Sequence, residues 1–210
     1  MPFTPGIRYL AAPTVASAEN HRLYDSIMNN AFHQKLLHRP LATVAEYYAR
    51  HLNDNAHSFL LRNCLSADDK LLVGFADRTL GKQIPSKRLK TGRDIRATLM
   101  KVGIIKPNGR ETLRGFITVP LADLEGNITG IYGERIDKTG KPEPRMTIGS
   151  GIFNAAAVRS FGELILCDTV LDAWTFHAAG HTNAIAIEGQ PLRKEFLAST
   201  KRLLMTGNRD

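Results

Sequence analysis

The ten residues Glu163–Asp172, with the sequence ELILCDTVLD, contain a short apolar run followed directly by two carboxylates. The four apolar residues Leu164–Cys167 predict a buried strand, and the segment from Val170 onward predicts a helix. Asp168 and Asp172 therefore come just after the carboxyl end of a strand, where open α/β sheets place their ligand sites. Carboxylate oxygens at such an edge bind hard cations such as Mg²⁺, usually together with substrate phosphates.

The sequence after this helix completes a β-α-β unit. Residues 177–187, HAAGHTNAIAI, predict the end of the helix, a glycine stop at Gly180 and a second apolar strand. His177 and His181 have the i, i+4 spacing of a helical metal site. Because Gly180 lies between them and the sequence offers no third ligand, we do not interpret the pair as a metal site.

Length and composition favour one large or two small globular domains over 210 residues. No apolar run approaches the roughly 20 residues that span a bilayer, so no membrane segment is predicted. The N-terminal MPFTPG lacks the basic start and apolar core of a secretory signal. Cys64 and Cys167 lie far apart in apolar contexts, which indicates buried free thiols in a reducing, cytoplasmic protein. The cysteines and histidines show no zinc-finger spacing.

Positive charge is concentrated in the segment 82–114. The net charge of +8 favours an anionic partner, nucleic acid first. Ten basic residues of the segment accompany only two acids, Asp94 and Glu111, so the segment carries the whole net excess. A run of charged residues usually forms a solvated surface, and such surfaces normally mix both signs of charge. The one-signed charge of this segment therefore favours a groove that follows the phosphates of a nucleic acid. Aromatic residues are scarce in the segment, so base stacking is not predicted there.

The remaining patterns predict further elements and caps. Helices are expected at about 17–38, 55–62 and 92–102, and a strand pair at 115–121 and 128–135. Thr43, with Glu46 three residues later, predicts a helix cap, and Asn154 predicts a cap for a helix at 155–160. Pro191 predicts the start of a last helix over Leu192–Met205.

These blocks resemble the catalytic core of bacterial-type DNA primases. The β-α-β unit resembles the TOPRIM domain, which has a strand, a Glu-Gly-x-x-Asp turn, a helix and a Gly-x-x-Asn-Ala-Val-Ala strand. Here Asp168 replaces the Glu and Thr169 replaces the Gly, whereas Gly180–Ala186 matches well. Residues 59–76 and 113–135 are similar to the family's basic subdomain, although Phe116 stands where that family has an arginine.

The resemblance implies an α+β primase-core subdomain followed by a partial α/β TOPRIM domain. We expect an N-terminal extension and helix over residues 1–40, a basic primase-core-like subdomain over 41–150, and a partial TOPRIM domain over 151–210. In the family a further strand carries an Asp-x-Asp metal pair. Residues 207–210 are interpreted as the point where that strand should begin, so the metal site is expected to be incomplete.

The resemblance also implies a function related to enzymes that synthesise RNA primers on single-stranded DNA templates. Asp168 and Asp172 would be the catalytic acids and would hold Mg²⁺ or Mn²⁺. The implied partners are single-stranded DNA or an RNA–DNA hybrid, nucleoside triphosphates, and a second chain that completes the TOPRIM fold. The residues expected to contact nucleic acid are Lys82, Lys87, Arg88, Lys90, Arg93, Arg96, Arg114 and Arg135.

Three interpretations stay open, because two acids provide few oxygen ligands for a two-metal centre. The protein is a truncated or split primase core that another chain completes, a primase-like protein that binds nucleic acid without synthesis, or a catalytically inactive regulator or protein-interaction module of a mobile element or phage. The first two predict salt-dependent binding of single-stranded DNA, and the third predicts little.

Overall fold

The computed structural model describes residues 15–136, 145–192, 194, 198 and 200–206. The described helices are α1 Val15–His38, α2 Pro40–Ala49, α3 Asp54–Arg62, α4 Leu80–Gln83, α5 Lys90–Lys101, α6 Ala156–Ser160 and α7 Val170–Ala178, with a short 3₁₀ turn at Asp69–Leu71. The described strands are β1 Gly74–Phe75, β2 Phe116–Ala122, β3 Ile128–Arg135, β4 Arg145–Gly149, β5 Gly151–Phe153, β6 Glu163–Cys167, β7 Ala184–Glu188 and β8 Arg202–Thr206. None of the helices in these residues is long and apolar enough to cross a membrane.

The described strands form one mixed sheet in the order β4-β3-β2-β5-β7-β6-β8, with β1 paired to β2 outside this path. Pairing is antiparallel from β4 to β7, whereas β6 is parallel to both β7 and β8. The pair Ala122 and Ile152 joins the β2–β3–β4 meander to the parallel strands. A single sheet therefore runs through both predicted subdomains, and the division near residue 150 stays a prediction.

Side chains alternate between the two faces of this sheet and bury separate clusters. Residues such as Val119, Cys167 and Trp174 form the cluster beneath α3 and α7, on what we call the α7 face. On the opposite face, Phe116 joins the cluster formed with α1, α2 and α5, and this side is called the α5 face. A smaller cluster, which includes Leu164, lies beneath α6. The two halves of the chain thus cover both faces of one sheet.

The Gly-x-Gly motif at residues 149–151 has a structural explanation. Gly149 has a φ of +72°, and a Cβ atom there would lie 2.3 Å from the backbone oxygen of Thr129. At Gly151 an added Cβ would lie 2.8 Å from the hydroxyl of Thr129. Only glycine fits both positions, because here the β4–β5 link passes against the start of β3.

Most predicted elements are confirmed to within a few residues, namely α1, α3, α5, α7 and strands β2, β3, β6 and β7. The predicted burial of Cys64 is wrong, because its side chain is exposed just after α3, whereas Cys167 is buried as predicted. The two predicted caps are also wrong. Thr43 lies inside α2, where its hydroxyl donates to the backbone oxygen of Arg39, because Pro40 already begins the helix. Asn154 has a φ of +56° and its amide donates to the backbone oxygens of Thr182 and Ala184, so it anchors the β5–α6 link to the start of β7.

The predicted last helix over Leu192–Met205 is also wrong. Residues Arg202–Thr206 form β8, which pairs with β6 in parallel from Glu163 to Cys167. Leu203 packs against the cluster beneath α6, so the apolar spacing that suggested a helix is that of a strand edging the sheet. A third parallel strand is therefore present within the described residues, and the truncation before the Asp-x-Asp strand stays a prediction. Residues 207–210 lie outside the described part of the chain.

Candidate metal and nucleic-acid site

The two predicted acids lie at the carboxyl edge of the parallel strands. Asp168 follows β6 directly, Asp172 lies in the first turn of α7, and both side chains are exposed. Burial raises the pKa of the Cys167 thiol, and the carboxylates of Asp172 and Asp168 raise it further, so both acids lie near this sulfur. The Thr206 hydroxyl hydrogen-bonds the same thiol and opposes these effects on its pKa. The ends of β6 and β8 and the start of α7 thus meet at one place.

Thr169, which stands where the TOPRIM motif described above has glycine, holds Asp172 through two hydrogen bonds. Its Oγ1 accepts a hydrogen bond of 3.1 Å from the Asp172 backbone N–H and donates one of 2.6 Å to Asp172 Oδ2. Thr169 is therefore the N-cap of α7 and fixes the carboxylate in one orientation. The Thr-x-x-Asp spacing is a sequence signal for such a cap, but we had interpreted Thr169 only as a departure from the family.

These acids fit a weakly held metal ion better than a preformed metal centre. Among the described residues no three His, Cys, Asp or Glu side chains come together as a metal site. Asp168 is free to offer both oxygens, while one oxygen of Asp172 already accepts from Thr169. Mg²⁺ commonly keeps several waters and binds through one or two carboxylates plus substrate phosphates, so the pair suits one such ion.

His177 and His181 lie in different surroundings. Helix α7 ends at Ala178 and Gly180 has a φ of +98°, so His181 lies beyond the helix. His177 is buried, with its Nε2 3.9 Å from the carboxylate of Asp68. Burial lowers the pKa of His177, which makes it a neutral core residue in the α7-face cluster.

The predicted nucleic-acid residues divide into exposed cations and cations tied to the backbone. Arg96 donates to the backbone oxygens of Pro85 and Gly92 at 2.5 and 2.9 Å, and Arg93 donates to that of Arg88 at 2.9 Å. These two arginines fix the entry to α5, and only part of their donor capacity is left for a ligand. Among the predicted residues, four whose side chains are exposed and make no described ion pair or hydrogen bond to the backbone are Lys82, Lys87, Arg88 and Lys90.

Glu111, one of the two acids in the basic segment, does not face solvent. It is 6% exposed and accepts a 3.1 Å hydrogen bond from the Tyr48 hydroxyl. The backbone N–H groups of Gly81 and Leu80 also donate to it. Burial raises the pKa of Glu111 despite these hydrogen bonds. Asp94 is therefore the exposed acid of residues 82–114, and the surface of this segment is more one-signed than its sequence suggests.

Arg114 and Arg135 lie at the other end of the sheet from the acids. Phe116 and Arg135 are paired at the start of β2, whereas Ala122 at its end is level with the carboxyl end of β7. Six residues of strand separate the two ends of β2 by about 20 Å. The guanidinium carbon of Arg135 lies 4.2 Å from the centre of the Phe116 ring, a cation–π contact. This contact gives Arg135 a structural partner in the sheet.

The structure does not place the basic segment directly against the acids. Helix α5 packs on one face of the sheet through Ile95 and Leu99, while α7 packs on the other through Trp174. The acids lie at the edge between these faces. A path for one nucleic-acid strand that reaches both groups stays a prediction.

Solved structures with a similar fold are primase catalytic cores. A DnaG catalytic core matches with a TM-score of 0.68 at 15% identity, covering 80% of this chain and 61% of that chain. A DnaG primase catalytic domain bound to single-stranded DNA matches with a TM-score of 0.67 at 17% identity, covering 85% and 63%. This chain has the fold of a DnaG primase catalytic core. The RNA polymerase domain of Mycobacterium tuberculosis primase DnaG, in complex with a double-stranded DNA oligomer with a 6-nucleotide overhang, matches with a TM-score of 0.62 at 19% identity, covering 82% and 63%.

The chain spans about three fifths of the length of these DnaG chains. No family model matches its sequence, and no curated protein matches it either. The resemblance found in the sequence is thus confirmed at the level of the fold. Roles for individual residues are argued below from the geometry of this chain.

Proposed function

We propose that this protein is a primase-like protein that binds single-stranded DNA and takes part in RNA primer synthesis on it. The observation that carries the binding proposal is the one-signed surface of residues 82–114. Burial of Glu111 leaves the cations Lys82, Lys87, Arg88 and Lys90 with Asp94 as the exposed acid of the segment. Such a surface attracts a phosphate backbone regardless of base sequence. The solved primase domains with DNA support this choice of partner.

The acid pair supports the synthetic part of the proposal. Asp168, together with Asp172 held by Thr169, would bind one Mg²⁺ or Mn²⁺ ion that also contacts the phosphates of a nucleoside triphosphate. When bound, such an ion stabilises the negative charge that develops during phosphoryl transfer. The chain itself orients Asp172 through the Thr169 cap, and β8 pairs with β6 beside it. We include in this proposal that an RNA–DNA hybrid, or a second polypeptide, binds at this edge of the sheet.

The second candidate function is nucleic-acid binding without synthesis. It is favoured by the absence of any three-residue acid, histidine or cysteine group among the described residues. Two carboxylates hold a metal ion less tightly than the larger ligand sets of a two-metal centre. In that case the protein would act as a primase-like regulator on single-stranded DNA.

Primer synthesis on a single-stranded template, with all four nucleoside triphosphates and either Mg²⁺ or Mn²⁺, distinguishes the two candidates. We expect the wild type to make short RNA products and Asp168→Asn to lose at least about tenfold in rate, because a metal ligand is removed. Asp54→Asn, an exposed acid in the first turn of α3, is the matched control and should retain full activity. DNA binding without products would establish the second candidate. Equal activity of wild type and Asp168→Asn would remove Asp168 from the mechanism.

A further inference from the structure

A groove between α1 and α2 contains a row of aromatic side chains. It has a volume of about 320 Å³, and Gln83 of α4 closes one side. The ring centroids of Phe32 and Tyr47 lie 5.8 Å apart, and those of Tyr47 and His51 lie 4.2 Å apart. Phe32 belongs to α1, Tyr47 to α2, and His51 follows α2, so the row exists only once the two helices pack together.

Hydrogen bonds hold this aromatic row in place. The Tyr47 hydroxyl and Thr79 Oγ1 are 2.6 Å apart, and His51 Nδ1 lies 2.7 Å from the backbone oxygen of Tyr47. His33 Nε2 lies 2.8 Å from the backbone oxygen of Gln83, which ties α1 to α4. Tyr47 is buried and forms the floor, whereas Phe32 and His51 are only partly buried. A ligand in the groove would therefore meet preformed ring surfaces and would not need to order them.

The charges around the groove suit a phosphate backbone. Lys35 and Arg50 line it with one acid, Glu46. Lys82 is adjacent in sequence to the lining residue Gln83 and begins the basic segment. A groove that combines aromatic surfaces with flanking cations is the usual arrangement for binding single strands, where bases stack and phosphates follow the cations. Its volume lies at the lower end of the range for small-molecule sites.

We propose that this groove is a base-stacking subsite for single-stranded nucleic acid. One nucleobase stacks on Phe32 and His51 over the floor made by Tyr47, while Lys35 and Arg50 contact the flanking phosphates. The inference rests on the proposed function, since it assigns the aromatic contacts that the basic segment itself lacks. The groove would contact a nucleobase, whereas the segment 82–114 would contact only phosphates.

Fluorescence anisotropy with two oligonucleotides of equal length and charge tests this subsite. One is an oligothymidylate and the other carries abasic sites throughout. We expect wild type to bind the thymidylate about tenfold more tightly than the abasic strand, as one stacked base predicts. Phe32→Leu and His51→Ala should reduce that preference to about twofold or less without changing affinity for the abasic strand. Phe161→Leu, an aromatic residue 40% exposed outside the groove, should keep the wild-type preference.

The outcomes separate the subsite from the proposed function. Salt-dependent binding of both strands with equal affinity would overturn the subsite and leave the proposed function standing. Failure of wild type to bind either strand at low salt would overturn both. If Phe32→Leu does not fold, as judged by circular dichroism, His51→Ala decides, because His51 lies beyond the end of α2. Full preference in His51→Ala would then refute the stacking role.

Discussion

The salt dependence of DNA binding tests the role of the exposed cations most directly. Replacing Lys82, Lys87, Arg88 and Lys90 with glutamine removes four exposed positive charges that lie before and at the start of α5. Arg93 and Arg96 are kept, because their bonds to backbone oxygens fix the start of α5. The variant therefore tests charge at the surface and not folding.

The expected magnitude follows from counterion release. Each phosphate contact on a single strand contributes about −0.7 to the slope of log affinity against log salt. Four contacts therefore contribute about −2.8, so raising salt from about 50 to about 200 mM should weaken wild-type binding by about 50-fold through these residues. The fourfold variant should lose this part of the slope. Its affinity at low salt should fall, whereas its affinity at high salt should approach that of wild type.

A control of equal charge change makes the experiment decisive. The exposed cations Arg62, Lys194, Lys201 and Arg202 lie outside the segment and are replaced by glutamine in a second variant. Anisotropy titrations of both variants over a range of salt give the two slopes. If the salt dependence of binding falls as much in the control as in the test variant, affinity depends on the net charge of the protein and not on the position of the charges in residues 82–114. That result would refute the assignment of a phosphate-tracking surface to residues 82–114.

Three further variants test how the site and the fold are held. Thr169→Val removes the α7 cap and should lower the free energy of unfolding by about 1 kcal/mol in urea denaturation. It should also weaken primer synthesis, because the Asp172 carboxylate is no longer held. Unchanged stability would show that the cap contributes nothing. Glu111→Gln should gain stability relative to wild type as pH rises from 4.5 to 7 in the same assay. Burial raises the pKa of Glu111 in the folded state above 4.5, so the wild-type carboxyl stabilises the fold at low pH and loses this contribution as it ionises. Parallel pH curves for the two proteins would contradict this. Gly74→Ala should lower the free energy of unfolding by about 1–3 kcal/mol, because its Cβ would lie 2.5 Å from the α2 backbone. Gly81→Ala is the control and should leave stability unchanged, because no atom lies within 4 Å of its added Cβ. Equal melting temperatures of the two variants would refute the close packing at Gly74.

The sequence was informative where short-range patterns decide the structure. The strand at Leu164–Cys167 follows from a short apolar run, the helix beginning at Val170 follows from the residues after it, and both elements are present. The hairpin of β2 and β3 follows from alternation on either side of a turn. Proximity of Asp168 and Asp172 then follows from chain connectivity alone.

The misassigned elements depend on contacts between distant residues. Residues Arg202–Thr206 form a strand because β6 offers an unpaired edge, and no local pattern shows that edge. Asn154 anchors β7 and not a helix, because two carbonyls of the 182–184 segment point at it. The aromatic groove escaped prediction for the same reason. Phe32 and Tyr47 are separated in sequence, and only the packing of α1 against α2 brings their rings together.

Glu111 shows how stability and surface charge are linked in this protein. Ionising a buried carboxyl at neutral pH costs free energy, and the Tyr48 hydroxyl and two α4 backbone N–H groups offset only part of it, because burial still raises its pKa. The same contacts hold α4, which carries Lys82 and the groove residue Gln83. An exposed acid in its place would set a negative charge beside the cations that we assign to phosphate binding. Burial of Glu111 therefore positions α4 and keeps the segment positive, at a cost in stability that grows with pH.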